Sequence, residues 1–584
     1  IDLAHHGSLF SDGDLRSTPV YPETKGLSSL WFRHAIGKLL KNKIHEKIED
    51  PIPKEILEKY HLPTLQTALV WIHSPKKDSD AVSARKRFAF EEVFYIQLER
   101  QGLKKTYENN PSFKIKFKEK DIHEFTDRFG FKMTKAQERS IKEVVEDMGE
   151  DKPMMRLLEG DVGSGKTAVA ATAAYTALKT SPTGKDFDHL QTAYMAPTEI
   201  LANQHFESFI KYFEYTGTKI GLMTGSGCKK FPSKSDPKLP TNISRTQLLK
   251  WVSNGEISVI VGTHALIQKT VKFKNLGLVI IDEQHRFGVS QRSELAKKES
   301  EGEKKPVPHL LSMTATPIPR TLALTIYGDL DLTLLDEMPA GRKKIITEII
   351  TAKDRDGTYE KIRNELKKGR QAYIICPRID EPDPNKELAL YARSVKAEAE
   401  RLKKDVFREY EINILHGKMT PTEKEKVMKN FLDKKIDILV ATSVIEVGVN
   451  VPNATVILIE GGDRFGLSQL HQLRGRVLRS EHQAYCFILS DSQNEKTLDR
   501  MKAIKEARNG FELAELDLQL RGFGELSGKK QWGISDIGME AIKNIKMVEA
   551  ARNEAKRIIE EDAGLENYSL IKDRLNQTKP SHME

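Results

Sequence analysis

Residues 160–167 read Gly160-Asp161-Val162-Gly163-Ser164-Gly165-Lys166-Thr167, the spacing G-x-x-x-x-G-K-T. A short apolar run precedes them and Ala168-Val169-Ala170-Ala171 follows. This is the strand, loop and helix order that a phosphate loop requires. Glycines let backbone N–H groups curl round phosphate oxygens where a Cβ would clash. A helix starting near Gly165 turns its positive dipole end towards the same anion. Lys166 is placed to reach the β- and γ-phosphates and Thr167 to hold Mg2+. ATP and Mg2+ are therefore the expected cofactors.

A second constellation supplies the acid–base chemistry. The apolar run Leu278-Val279-Ile280-Ile281 delivers Asp282-Glu283-Gln284-His285. Carboxylates at the end of a buried parallel strand sit where such sheets bind ligands. Asp282 is expected to hold Mg2+ through water, and Glu283 to orient and deprotonate an attacking water. Ser312-Met313-Thr314-Ala315-Thr316 follows the next apolar run, and its hydroxyls are placed to couple nucleotide state to a second ligand. Phe131 and Gln137 lie just upstream of the phosphate loop, where Gln137 is expected to read the adenine edge. Far downstream, Gln472-Leu473-Arg474-Gly475-Arg476-Val477-Leu478-Arg479 places Arg476 and Arg479 three apart, on one helix face. Taken with the rest, one of them is expected to neutralise charge building on the γ-phosphate.

The elements that must position these residues show in the alternation of short apolar strands and helices. From about Phe131, strands are expected at Thr192–Met195, Val259–Val261, Val279–Ile281 and Leu310–Met313. They resume at Ala372–Cys376, Ile438–Ala441, Val456–Ile459 and Tyr485–Leu489. Only the first block carries a phosphate loop. Pro339, Ala340 and Gly341 mark the joint between them. Before the sheets the pattern is helical, with Phe88, Phe90, Val93, Phe94 and Leu98 at helix-like spacing and Pro51, Pro53 and Pro63 as breaks. After about Asp491 the chain is helical and charge-rich. A last helix over about Met539–Glu561 presents Ile542, Ile545, Val548 and Ile558 on one face.

The chain has 584 residues and a net charge of +9, which suits a polyanionic partner. Its apolar runs are too short to span a membrane, so no membrane association is expected. Cys228, Cys376 and Cys486 lie far apart, without metal-ligand spacing, which fits a reducing compartment.

Together these motifs resemble superfamily 2 helicases, and more narrowly the RecG family of branch-migration DNA helicases, from about Pro19 to Gly533. Beyond the phosphate loop, the resemblance rests on Ala196-Pro197-Thr198-Glu199, Gly262-Thr263-His264-Ala265, Asp282–Gly288, Met313–Thr321, Tyr327–Asp331, Pro339–Arg342, Ala441–Pro452 and Gln469–Arg476. It implies an α/β fold of two tandem RecA-like parallel-sheet domains, a helical connector before them and a helical hairpin after them. The expected spans are 1–16 irregular start, 17–120 connector, 121–345 first domain, 346–490 second domain and 491–584 hairpin, translocation segment and last helix.

By the same resemblance, Thr198, Thr263, His264, Thr314, Thr316 and Thr442 contact DNA or couple to it. Arg521 and Gln531, in the glycine-broken stretch Leu518–Gly533, belong to a lever that converts turnover into movement on duplex DNA. Three features depart from the family pattern: Leu478 replaces a glycine, Phe523 a proline and Trp532 a small residue. The family's N-terminal wedge domain is expected to be absent or reduced to a remnant.

The expected activity is ATP-driven translocation on double-stranded and branched DNA, remodelling stalled forks and recombination intermediates. The chain is expected to act in the cytoplasm of a bacterial-type cell as a monomer, with single-strand DNA-binding protein as a further partner. An RNA helicase of the same superfamily, and a DNA-binding scaffold disabled by Leu478, are the competing readings.

Overall fold

The structure, a computed structural model, describes the chain except residues 1, 5–17, 22, 24–25, 183–187, 284–305, 316–317, 340–342, 378–393, 447–450, 478–481, 493, 521–534 and 579–584. Contacts divide it into two units. One comprises Ile1–Tyr107, Arg320–Asp329 and Arg521–Glu584; the other comprises Glu108–Pro319 and Leu330–Leu520.

The first unit is mainly helical. Within the span expected to be irregular, β1 (Asp2–Ala4) pairs antiparallel with β2 (Thr18–Val20). The prolines punctuate as anticipated: Pro53 is the N-cap of helix Lys54–Lys59. The long helix Asp78–Glu108 buries Phe90, Val93, Phe94 and Leu98. On it the fully buried Arg87 is neutralised by Asp50 at 2.7 Å and Glu91 at 2.5 Å, the pairing that a buried charge needs.

Gln97 and Gln101 donate to the carbonyls of Leu324 and Gly328 at 2.9 and 2.8 Å. These bonds draw Arg320–Asp329 into this unit, although it lies within the expected span of the first α/β domain. The expected helix Met539–Glu561 is two helices, Asp536–Ile542 and Ile545–Glu561. Asn544 breaks it, because its side chain accepts from Met547 N–H and caps the second helix.

The second unit holds two sheets. The first is built from β3 (Met155–Gly160), β4 (Gln191–Met195), β5 (Ile220–Met223), β6 (Cys228–Phe231), β7 (Thr241–Ile243), β8 (Val259–Gly262), β9 (Leu276–Ile281), β10 (His309–Thr314) and β11 (Asp331–Leu335). Its order is β11-β3-β10-β9-β4-β8-β5-β6-β7. It is parallel as far as β5, and β6 and β7 add an antiparallel edge.

The second sheet is built from β12 (Ile346–Ile350), β13 (Gln371–Ile375), β14 (Ile412–Leu415), β15 (Ile438–Ala441), β16 (Ala454–Ile459) and β17 (Tyr485–Leu489), in the order β12-β17-β16-β13-β15-β14. All its pairings are parallel. The continuous apolar runs follow from burial on both faces: every residue of β9 and of β16 is buried.

The two sheets share a joint that composition does not betray. Gln191 opens β4, and its amide donates to the carbonyls of Val252 and Ile257 at 3.0 and 2.7 Å. Gln371 opens β13 and does the same to Phe431 and Ile436 at 2.6 and 2.7 Å. Each amide ties the start of a central strand to the helix and turn that lead into the strand beside it. Helices Glu495–Glu506 and Gly510–Leu520 pack with the second sheet, through Met501, Ile504 and Leu513 against Leu467, Leu470 and Leu473.

Candidate functional site

β3 ends at Gly160 and the helix Lys166–Leu178 starts six residues later. Gly163 and Gly165 hold φ of 81° and 94° in the turn between them, conformations that L side chains resist. A Cβ at Gly165 would lie 2.0 Å from the Gln137 amide nitrogen. The helix is small-residue and buried almost throughout, at Ala168, Val169, Ala170, Ala171, Ala173, Ala174 and Ala177. Its N-terminus is thereby fixed under the loop.

Lys166 Nζ donates to the carbonyl oxygens of Gly160 and Asp161 at 2.7 and 2.9 Å. The ammonium thus sits on the loop that a phosphate would occupy.

Gln137 is fully buried. Its Oε1 accepts from Thr134 N–H and closes the capping box of helix Lys135–Met148. Its Nε2 donates to Ser164 O at 2.7 Å. The amide expected at the adenine edge therefore holds the phosphate loop in this conformation. Phe131, by contrast, is 42% exposed beside Phe129.

Asp282 and Glu283 stand at the carboxyl end of β9, one strand beyond the neighbour of β3. Asp282 Oδ2 accepts from His205 Nε2 at 2.8 Å, and Oδ1 from Glu283 N–H at 3.1 Å. Tyr194 OH lies 3.1 Å from the other ring nitrogen of His205. Burial pushes Asp282 upward, but the His205 hydrogen bond and charge, with Lys166, outweigh it and hold the carboxyl ionised below its usual range.

Glu283 goes the other way. Burial first, then the Asp282 charge, raises it to about 7, with Lys166, Ala315 N–H and Arg476 opposing. One backbone step thus separates a permanent carboxylate from one poised to take a proton, the division of labour that hydrolysis needs. Glu283 itself adopts φ 53°, a strained setting of the sort found at functional sites.

The second sheet contributes through helix Leu467–Arg474 and the turn Gly475–Val477. Arg476 is buried, and its charge acts on Glu283. Gly475 packs on the phosphate loop so closely that a Cβ would meet Val162 at 2.9 Å. Arg474 is held by protein partners: it donates to Ile504 O at 2.6 Å and to His471 Nδ1 at 3.0 Å. His471 Nε2 donates to Asp161 Oδ1 at 2.5 Å. Gln284, His285, Thr316, Leu478, Arg479, Arg521 and Gln531 lie outside the described residues.

The residues expected at DNA stand at the carboxyl ends of their strands. Thr198 follows β4 and caps helix Glu199–Phe213 by accepting from Leu201 N–H. Thr263 and the exposed His264 follow β8, Thr314 ends β10 and Thr442 follows β15.

His205, His471 and Glu159 were not singled out by sequence. Glu159 sits in β3 beside Gly160 and is fully buried. Its Oε1 accepts from Ile318 N–H at 2.5 Å, and Oε2 has no hydrogen-bond partner among the described residues. Burial raises it to about 8, against the pull of Ile318 N–H and Lys166. His471 lies in the stretch Gln469–Arg476, but the role of each of the three is recognisable only by what it touches.

Oxygen donors from Thr167 and Asp282 suit Mg2+. The described residues hold no group of three His, Cys, Asp or Glu side chains placed for a metal, and Mg2+ habitually binds one or two carboxylates plus substrate phosphates.

Comparison with known proteins gives the family of the chain as a whole. Residues 134–325 match the DEAD/DEAH box helicase family, residues 357–481 the helicase conserved C-terminal domain, and residues 507–584 the C-terminal part of domain 3 of the ATP-dependent DNA helicase RecG. The chain is 41% identical over 577 residues to the ATP-dependent DNA helicase RecG of Synechocystis sp., covering 98% of this chain and 65% of that protein. It is 40% identical over 565 residues to the RecG of Bacillus subtilis, covering 95% and 77%. A solved structure of RecG bound to a three-way DNA junction superposes with a TM-score of 0.70 at 38% identity, over 91% of this chain and 66% of that one. The chain thus spans just under two thirds of the Synechocystis protein and of the solved chain. The Bacillus relative is covered over most of its length, and all three family matches fall in order along the sequence: the chain belongs to the RecG family of ATP-dependent DNA helicases.

Proposed function

We propose that this chain is an ATP-driven motor on duplex DNA that remodels stalled forks and branched intermediates during repair and recombination. One observation carries the reading. The phosphate loop, the split pair Asp282 and Glu283, and Arg476 from the second sheet all bear on one cleft.

In this reading Lys166 exchanges its loop carbonyls for the β- and γ-phosphate oxygens. Glu283 accepts the proton of the attacking water, and the water oxygen bonds to the γ-phosphorus as the bond to the β-phosphate oxygen breaks. Arg476 balances the charge that builds there. Thr167 and, through water, Asp282 would hold Mg2+, which supplies charge neutralisation across the phosphates. Phe131 offers an exposed ring to the base, and Gln137 reads the adenine edge once its amide turns from Ser164.

DNA runs past the strand ends that carry Thr198, Thr263, His264, Thr314 and Thr442, held chiefly through its phosphates. The net charge of +9 supports that reading, and affinity should fall steeply with salt. The RecG family is known from bacterial proteins, and no described helix is long and apolar enough to cross a membrane. We place the chain in the cytoplasm, as a monomer that contacts single-strand DNA-binding protein. Arg521 and Gln531 couple turnover to movement.

The test is ATP turnover with linear duplex, single strand, fork, four-way junction and RNA. Strongest stimulation by branched or duplex DNA is expected. Stimulation by RNA alone would make the chain an RNA remodeller, and DNA binding without turnover would make it a scaffold.

A further inference from the structure

Asp161 is the second residue of the phosphate loop, and it is buried. Its two carboxylate oxygens are fully used. Oδ1 accepts from Val162 N–H at 2.6 Å and from His471 Nε2 at 2.5 Å; Oδ2 accepts from Gly510 N–H at 2.8 Å. Burial disfavours the charge, but His471 and these two backbone donors overcome it and hold the carboxyl at about 2.

Three parts of the fold therefore meet at one anion: the loop on the first sheet, the arginine-bearing helix on the second, and the first turn of helix Gly510–Leu520.

The donors are built for this. Arg474 donates to His471 Nδ1 at 3.0 Å, so the ring proton must lie on Nε2, facing Asp161. The same guanidinium bonds Ile504 O, in the neighbouring helix Glu495–Glu506. At Gly510 the donor is one of the N–H groups that a helix leaves open in its first turn. Asn509 covers another, by accepting from Glu512 N–H at 2.9 Å. A carboxylate at that end also meets the positive end of the helix dipole.

The other face of the same residue carries the nucleotide-sensitive bond. Asp161 O accepts from Lys166 Nζ at 2.9 Å. A phosphate that draws Lys166 off takes an ammonium from the Asp161 peptide while its carboxylate remains tied to Gly510. Gly475, seated against Val162, leaves the adjoining peptide little room to move independently.

We propose that Asp161 is a positioning residue that transmits nucleotide state from the phosphate loop to helix Gly510–Leu520 through its bond to Gly510 N–H. That helix leads in sequence to Arg521. The inference rests on the ATP-driven reading above and adds a route distinct from the hydroxyls of residues 312–316.

Gly510 is outside the nucleotide machinery and is the first residue of its helix, a position that tolerates proline. Gly510→Pro removes the N–H and adds a ring, and Gly510→Ala keeps the N–H while adding a Cβ. The full chain is assayed for DNA-independent ATP turnover and for strand displacement per ATP hydrolysed on a fork. Gly510→Pro should keep basal turnover within twofold while displacement per ATP falls tenfold or more; Gly510→Ala should match the parent.

Hydrogen exchange at the Gly510 amide of the unmodified chain supplies a check that needs no variant. Its rate should change severalfold when a non-hydrolysable ATP analogue binds. Coupling retained in Gly510→Pro, equal loss in Gly510→Ala, or exchange indifferent to the analogue would overturn the joint while leaving the motor reading intact. Absence of ATP turnover in the parent would overturn both.

Discussion

β9 and β16 occupy equivalent places. Each lies between a flanking strand, β10 or β17, and the strand opened by a carbonyl-tying glutamine, β4 or β13. Each is wholly buried and delivers an acid at its carboxyl end. Their fates differ. Glu460, after β16, is buried and clamped by both nitrogens of Arg355, at 2.6 and 2.9 Å. Glu283, one residue further beyond β9, is set beside the ionised Asp282, and burial with that like charge raises it to about 7. An acid at a strand end is thus structural when a fixed cation saturates it. It becomes reactive when burial and a like charge push it towards neutrality.

Arg476→Ala should produce the largest effect, a loss of ATP turnover on the order of 10³-fold or more, read by phosphate release at saturating DNA. Unchanged turnover would remove the second sheet from the chemistry. Glu283→Gln should lower turnover by about 10²–10⁴-fold and leave binding of a fluorescent nucleotide intact. In the parent, turnover should rise as pH climbs through about 7, because the raised carboxyl must lose its proton before it can accept one. A flat profile between pH 6 and 8 would count against Glu283 as the base.

Glu460→Gln sharpens the comparison from the other side. Leaving the partly buried Arg355 with only Glu398 Oε1 at 3.9 Å should cost about 1–3 kcal/mol of stability in denaturant titration, while turnover per folded molecule stays within a few-fold. A turnover loss like that of Glu283→Gln would erase the distinction between the two strand ends.

The smallest effect concerns Glu159. With a folded pKa near 8 against an ordinary 4.5, the folded chain binds more protons than the unfolded one across that window. Stability therefore falls as pH rises from about 4.5 to 8. Glu159→Gln should flatten this dependence and raise the melting temperature at pH 8 more than at pH 5. An equal shift at both would show that Glu159 is not protonated in the fold.

The sequence itself was sufficient for the phosphate loop, the acid pair and most of the strands, because each is written in contiguous residues with fixed spacing. The core strands expected from apolar runs sit within three residues of those observed. Strands β5, β6, β7, β11, β12 and β14, at or near the sheet margins, were not anticipated, since runs of three to five residues carry little of that signal. Nor was the break at Asn544, where a capping side chain outweighs helical periodicity. Tertiary structure decided what touches these motifs. It turned Gln137 onto the loop, set His205 against Asp282 and His471 against Asp161, and sent Arg474 to a carbonyl while the charge of Arg476 acts on Glu283. It also assigned Arg320–Asp329 to the helical unit, through amides more than two hundred residues upstream. Proton affinity and charge balance depend on neighbours brought together from distant parts of the chain, and no local spacing records them.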